Sequence, residues 1–189
     1  WEAWVGTLEE DEWAMIRMAP KEIAISAKLR YIQINILHMT YLSPDRLSHM
    51  GDSNASRCAR CHLHKADFYH VIWSCPHIRS FWRAVEQEIS RTLDTTVTLE
   101  PVTALLGLLE RVGGSKGMRS FIGMATMIAK RDIACRWNQA ATPTIEVWRK
   151  GMDWCAILEK PIYEARGCPR KFNKIWGRWM DYHGLPGGN

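Results

Sequence analysis

No run of about 18 uncharged apolar residues occurs in the 189-residue sequence, so no helix is expected to span a membrane. No secretory leader is read at its start, which is Trp1 rather than Met, and a fragment or a domain cut from a longer chain is expected. Strand signals are weak throughout, and there is no internal repeat or low-complexity tract. Disulfide-framework spacing is missing too. Six cysteines are present, but Cys135, Cys155 and Cys168 are scattered, and Cys135 and Cys155 fall in apolar helical patterns that suit buried free thiols. A reducing compartment, cytosolic or nuclear, is the expected setting.

Apolar residues make up 47% of the chain, enough for one good core, or for a core with a small appended module. The formal net charge of +5 is unevenly spread. Residues 1–50 carry 5 Lys/Arg against 7 Asp/Glu, residues 51–110 carry 6 against 7, and residues 111–189 carry 14 against 6. Positive charge gathered in one portion suits a phosphate-backbone partner, although a solvated helical surface would have the same composition. The acidic run Glu9-Glu10-Asp11-Glu12 reads as a solvated helix face rather than a catalytic metal cluster.

The most specific pattern is Cys58-x2-Cys61-x8-His70-x4-Cys75, four metal-capable side chains within 18 residues. The first pair forms a tight knuckle whose two thiolates can reach one ion from the same side. Three thiolates and one imidazole make a closed tetrahedral set, which suits a structural Zn²⁺ and leaves no position for substrate water. A zinc hydrolase, which needs that open position and a general base, is therefore disfavoured. His62 and His64 are rival ligands, but each lies too close to Cys61 for a relaxed loop to close back on the ion. His77, after Pro76, belongs on the outside of a helix. Metal binding would supply ordering free energy of roughly 10 kcal/mol to a stretch too short to build its own core. Phe68, Tyr69, Trp73, Phe81 and Trp82 would pack the knuckle against the next helix.

Apolar periodicity predicts helices through most of the chain. One opens at Pro20 and carries Ile23, Ala27, Tyr31, Ile34 and Leu37. A short one follows Ser43-Pro44 and stops at Gly51, and Asp52–Ser56 form a polar linker. His77–Leu93 presents Ile78, Phe81, Trp82, Val85 and Ile89 on one face. Further helices cover Val102–Leu109, Met118–Trp137, the stretch from Thr142-Pro143 to Glu159, and the stretch after Pro169. The expected fold is all-α, a helical domain with an inserted CCHC zinc knuckle. Its parts are a thumb-like helical segment over 1–55, the knuckle and its packed helix over 56–94, and a basic helical region over 95–189. Of the ten tryptophans, Trp82, Trp137, Trp148 and Trp176 fall on apolar stripes.

The run Cys58-Ala-Arg-Cys61, Ala66-Asp-Phe-Tyr-His70-Val-Ile-Trp-Ser-Cys75-Pro76, Ile78 and Phe81-Trp82 resembles a known family. It is similar to the zinc-binding domain at the C-terminal end of the reverse transcriptase of LINE-type (non-LTR) retrotransposons, in the vertebrate branch with an apurinic-type endonuclease. Gln33–Leu47 resembles the segment preceding that knuckle, near the polymerase thumb. Ala104–Leu109, Ala129–Trp137 and Pro143–Trp148 resemble the region after it. The likeness covers roughly residues 20–150, and residues 151–189 carry no motif of the family. The resemblance implies a binding module that contacts template RNA and target DNA during target-primed reverse transcription. It also implies the remainder of the polyprotein as a partner, and a place in a cytoplasmic ribonucleoprotein and the nucleus. No Tyr/Phe-x-Asp-Asp polymerase motif and no endonuclease occur, so this chain is not expected to be an enzyme.

Candidate nucleic-acid contacts are Arg57 and Arg60 beside the knuckle cysteines and Lys65 in the knuckle loop, with Tyr69 as a stacking ring or a core residue. Lys130, Arg131 and Arg136 form a short basic patch. Arg170, Lys171, Lys174 and Arg178 recur at helical steps opposite Phe172, Ile175, Trp176 and Trp179. The alternative is a zinc-stapled helical protein-interaction module, including a domesticated host protein derived from a retrotransposon.

Overall fold

The computed structural model describes residues 1–51 and 56–185; most of the expected linker Asp52–Ser56 lies outside the described residues. The fold is all-α, and apart from an isolated bridge between Arg57 and His64 the described residues form no strand. No described helix is long and apolar enough to cross a membrane.

The chain begins with a short helix, α1 (Glu2–Val5), and a longer one, α2 (Glu10–Ile23). The acidic run forms the entry to α2. The Glu9 N–H donates to Glu12 Oε2 at 3.1 Å, and carboxylates in the first turn complement the helix dipole. Glu12 also holds Arg111 through hydrogen bonds of 3.0 and 2.7 Å. Pro20 does not open a helix as expected but sits in the last turn of α2. Without an N–H it cannot donate to the carbonyl of Ile16 one turn back, the helix ends three residues later, and the chain restarts after Ser26 as α3 (Ala27–Leu37).

The buried face of α3 is Leu29, Ile32, Gln33 and Ile36, while the expected inward residues Tyr31 and Ile34 are exposed. This helix carries two adjacent apolar stripes, and the one containing Gln33 is covered because its amide donates to the Leu105 carbonyl at 2.9 Å. The short helix α4 (Pro44–His49) starts as expected, with Ser43 Oγ accepting from the Arg46 N–H.

Beyond the knuckle, α5 (Pro76–Leu93) buries Ile78, Phe81, Trp82, Val85 and Ile89, the predicted face. The expected helix 102–109 is two pieces, one wide helical turn at Val102–Leu106 and a tight turn at Leu109–Arg111. Gly107 separates them at φ 82°, a left-handed conformation that side chains resist. The central helix α6 (Lys116–Ala134) is buried almost continuously from Phe121 to Ile133 and packs against α3 and α5. It ends before Trp137, which packs instead from the following turn onto Phe68 and Tyr41. Cys135, in that turn, is exposed rather than buried, and Cys155 is half-buried.

The last two helices, α7 (Ile145–Ala165) and α8 (Pro169–Tyr182), pack on α6 and on each other. The first is capped by Thr144 and runs past the expected end at Glu159, with Pro161 inside it. Trp148, Trp176 and Trp179 are fully buried, and their indole N–H groups donate to the Ala125 carbonyl, Glu159 and Asp153 at 3.0, 2.9 and 2.9 Å. The larger hydrophobic cluster runs from Ala24 to Met180 and draws residues from all three expected segments, while a smaller one gathers Leu8, Ile16, Val102, Leu106 and Leu108.

Candidate metal centre

Cys58 and Cys61 stand on a turn closed twice by backbone. The His62 N–H donates to the Cys58 carbonyl at 2.8 Å, and the Cys58 N–H to the Leu63 carbonyl at 2.9 Å. His62 and Lys65 take positive φ, 59° and 53°, to reverse the chain, which leaves His62 and His64 exposed. His70 and Cys75 come from the other side, on a single wide helical turn, His70–Ser74. The Cys75 N–H donates to the His70 carbonyl at 2.9 Å, so the wide turn itself sets the spacing of these two side chains. Asp67 Oδ1 accepts from the His70 N–H at 2.6 Å and fixes where the turn begins. Cys75 is also the residue before Pro76, so one ligand position is tied to the start of α5.

The four ligand atoms of Cys58, Cys61, His70 and Cys75 lie within 4.8 Å of one another. The Cys58 and Cys75 sulfurs are 3.9 Å apart, and the Cys61 sulfur is 3.2 Å from His70 Nε2. Sulfurs placed tetrahedrally at about 2.3 Å from one ion would stand about 3.8 Å apart, so the set matches a four-coordinate ion with little movement. Cys58, His70 and Cys75 are buried and Cys61 is partly so. Burial pushes the Cys75 thiol up to about 11. It also pushes at Cys58, but the N–H groups of Cys61 and Arg60 and the neighbouring thiols outweigh it, and the net shift there is down. At His70, burial favours the neutral imidazole, the form that binds a metal.

Aromatic residues wall the site. Trp73 lies 5.3 Å from Trp82, whose indole N–H donates to the Ile72 carbonyl at 2.9 Å. Phe68 packs against Trp1 and Trp137. Tyr69 is half-buried beneath Trp4, which stacks parallel to it at 5.4 Å, so its ring is already covered.

The basic candidates divide sharply. Arg57 and Lys65 are exposed beside the knuckle. Arg60 is 7% exposed, and its guanidinium donates to main-chain carbonyls inside the fold, which removes it as a surface contact. Lys130 is 1% exposed, and burial drives its ammonium down to about 7. Arg131 is half-buried against Asp132 at 2.8 Å, and Arg136 donates to the Asp132 carbonyl at 3.4 Å. The expected Lys130–Arg136 patch is therefore not an open basic surface, because Lys130 is buried and Arg131 paired on the central helix α6, and Arg136 is half-buried in the turn after it.

On α8 the expected stripe is present. Arg170, Lys171, Lys174 and Arg178 are exposed, while Phe172, Ile175, Trp176 and Trp179 are buried on the opposite side. Lys171 lies 5.9 Å from the Tyr163 ring, and the Arg178 guanidinium donates to the Leu93 carbonyl. Sequence reasoning did not anticipate the cleft beside Lys174 and Arg178, which Asp94, Ser115 and Asn173 complete. Next to it, a side chain at Gly117 would collide with the Lys174 carbonyl, so glycine lets α6 start this close to α8. The lone signal in the sequence is that glycine, one residue before the predicted helix start at Met118. No protein-family model matches the chain.

Proposed function

We propose that this chain is a non-catalytic, zinc-stapled nucleic-acid-binding domain of a LINE-type retrotransposon reverse transcriptase. It contacts template RNA, target DNA or both during target-primed reverse transcription, alongside the rest of the polyprotein, in a cytoplasmic ribonucleoprotein and the nucleus. The observation that carries the reading is the convergence of Cys58, Cys61, His70 and Cys75, residues of the motif on which the family resemblance rests. Three sulfurs and one imidazole favour zinc over the harder cations, and a set of four protein ligands leaves no place for a reacting water. The role of the ion is to pin the knuckle.

The phosphate-facing surface is the exposed stripe of α8. From Arg170 to Arg178 the helix rises about 12 Å, the axial length over which one strand of a duplex carries three to four phosphates. Four cations at that spacing give affinity that depends on salt and reads little sequence. Titration of the protein with single-stranded RNA, single-stranded DNA and duplex DNA across a salt series tests the reading. Binding that weakens steeply with salt supports it, and no binding to any of the three at low salt overturns it.

A second reading, a protein-interaction module, is favoured by the exposed side chains of α7: Trp154 at 64%, Leu158 at 60% and Ile157 at 44% exposure. A complex held by that face would survive about 0.3 M salt far better than one held by phosphates.

A further inference from the structure

Arg60 is the buried charge that neither the metal set nor the basic surface accounts for. It sits between two of the four ligands, Cys58 and Cys61, so the knuckle fixes its backbone. Its side chain runs into the fold. Nη1 donates to the Val71 carbonyl at 3.4 Å, while Nη2 donates to the carbonyls of Arg136 at 2.5 Å and Trp137 at 3.2 Å. The last two belong to the turn that follows α6, where carbonyls run out of helical partners. No carboxylate is among these acceptors, and the buried Nε has no partner.

A guanidinium keeps its proton in proteins, and burying one without a counter-ion is strongly unfavourable. The ligand set flanks it in the chain, with Cys58 two residues before and Cys61 one residue after. Three thiolates around a divalent ion would leave one net negative charge there, and the Val71 carbonyl that Nη1 reaches directly follows the ligand His70. Carbonyl dipoles alone would leave this cation poorly compensated. A loaded centre, by contrast, would supply the negative charge that the carbonyls lack.

We propose that Arg60 is the countercharge of the metal centre and the strut through which the bound ion holds the turn after α6 in place. The proposal rests on reading the four side chains as metal ligands. Its reach is wider than the knuckle, because Trp137 packs on Phe68 and Tyr41 and donates its indole N–H to the Leu42 carbonyl at 2.9 Å. Occupancy of the centre thereby governs the contact between the turn after α6 and the chain leading into α4. Arg60 acts through the ligands and the turn, so it is a positioning residue and not a ligand itself.

The test compares the full chain with Arg60→Met and Arg60→Lys. Zinc affinity is read by competition with a chromophoric chelator, and amide hydrogen exchange at residues 135–138 is read with and without zinc. In the parent chain zinc should slow exchange at 135–138 by about tenfold or more. Arg60→Met should weaken zinc binding by about 10- to 100-fold, the range typical of outer-sphere changes, and remove the zinc-dependent protection. Arg60→Lys should keep more of the affinity, because the charge remains, and lose most of the protection, because the fork is gone. If Arg60→Met does not fold, the zinc response of the parent at 135–138 still decides, since exchange there that ignores zinc overturns the proposal. Zinc binding by Arg60→Met equal to that of the parent overturns it as well. A parent chain that takes up no zinc overturns the metal reading itself, which is a distinct result.

Discussion

Glu88 on α5 and Arg149 on α7 meet in a two-pronged ion pair. Arg149 Nε donates to Oε1 at 2.9 Å and Nη2 to Oε2 at 2.8 Å, with Glu88 only 1% exposed. Arg149 thereby joins α7 to α5 on one buried acid, and Arg91, from α5 itself, approaches the same carboxylate at 3.3 Å. Burial works to raise this carboxyl, but the hydrogen bonds and charge of Arg149, with His183 and Arg91 behind them, hold it below its ordinary value of 4.5.

Glu88→Gln is therefore expected to destabilise the fold by about 1–2 kcal/mol near pH 7, because it leaves Arg149, itself partly solvated, without its counter-ion. A group whose carboxyl is lowered by folding contributes stability that is complete above its unfolded pKa and is lost as pH falls through the folded one. The gap between parent and Glu88→Gln should thus close as pH drops below about 4.5. Urea unfolding at a series of pH values measures it, and a gap constant from pH 7 to pH 3 contradicts the role given to the pair.

Lys130 leads to the opposite expectation. Its ammonium is drawn down to about 7 in the fold against 10.5 as the ordinary value, so between those limits the unfolded chain binds more protons and stability rises with pH. Its hydrogen bond to the Leu105 carbonyl, at 3.4 Å, is shared with Gln33, which already donates there at 2.9 Å. Lys130→Met should stabilise the protein by on the order of 2 kcal/mol near pH 7, with the gain shrinking towards pH 10. A destabilised Lys130→Met at pH 7 would show that the amine is needed where it lies.

Cys58→Ser or Cys75→Ser should abolish stoichiometric zinc and release residues 57–75, while most of the core from Ala24 to Met180 stays folded. Elemental analysis should give one zinc per parent chain, and hydrogen exchange in the variants should rise first within the knuckle. A parent purified without chelators that carries no metal would count decisively against zinc.

Replacing Arg170, Lys171, Lys174 and Arg178 together by Ala should weaken RNA and DNA binding and flatten the slope of log affinity against log salt by about three to four units on duplex DNA. Helix content by circular dichroism should hardly change, because the four are exposed and the buried face of α8 is untouched. Unchanged low-salt affinity would move the phosphate-binding surface elsewhere.

Much of the metal centre is legible in the amino-acid sequence alone. Its four side chains fall within 18 residues, where spacing and turn geometry are local matters that short-range chemistry can settle. The same holds for helix starts at Pro44, Pro76 and Pro169, and for the inward face of α5. Other assignments needed partners distant in the chain. Whether Tyr31 or Ile32 faces inward depends on which stripe of α3 meets the turn at Leu105, more than 70 residues away. Lys130 and Arg60 read as surface cations because charge is usually solvated. They are buried because α6 is enclosed by its neighbours and because the turn at Arg136 and Trp137 closes over the knuckle. Periodicity tells which residues share a side of a helix, but what covers that side is a property of the assembled core.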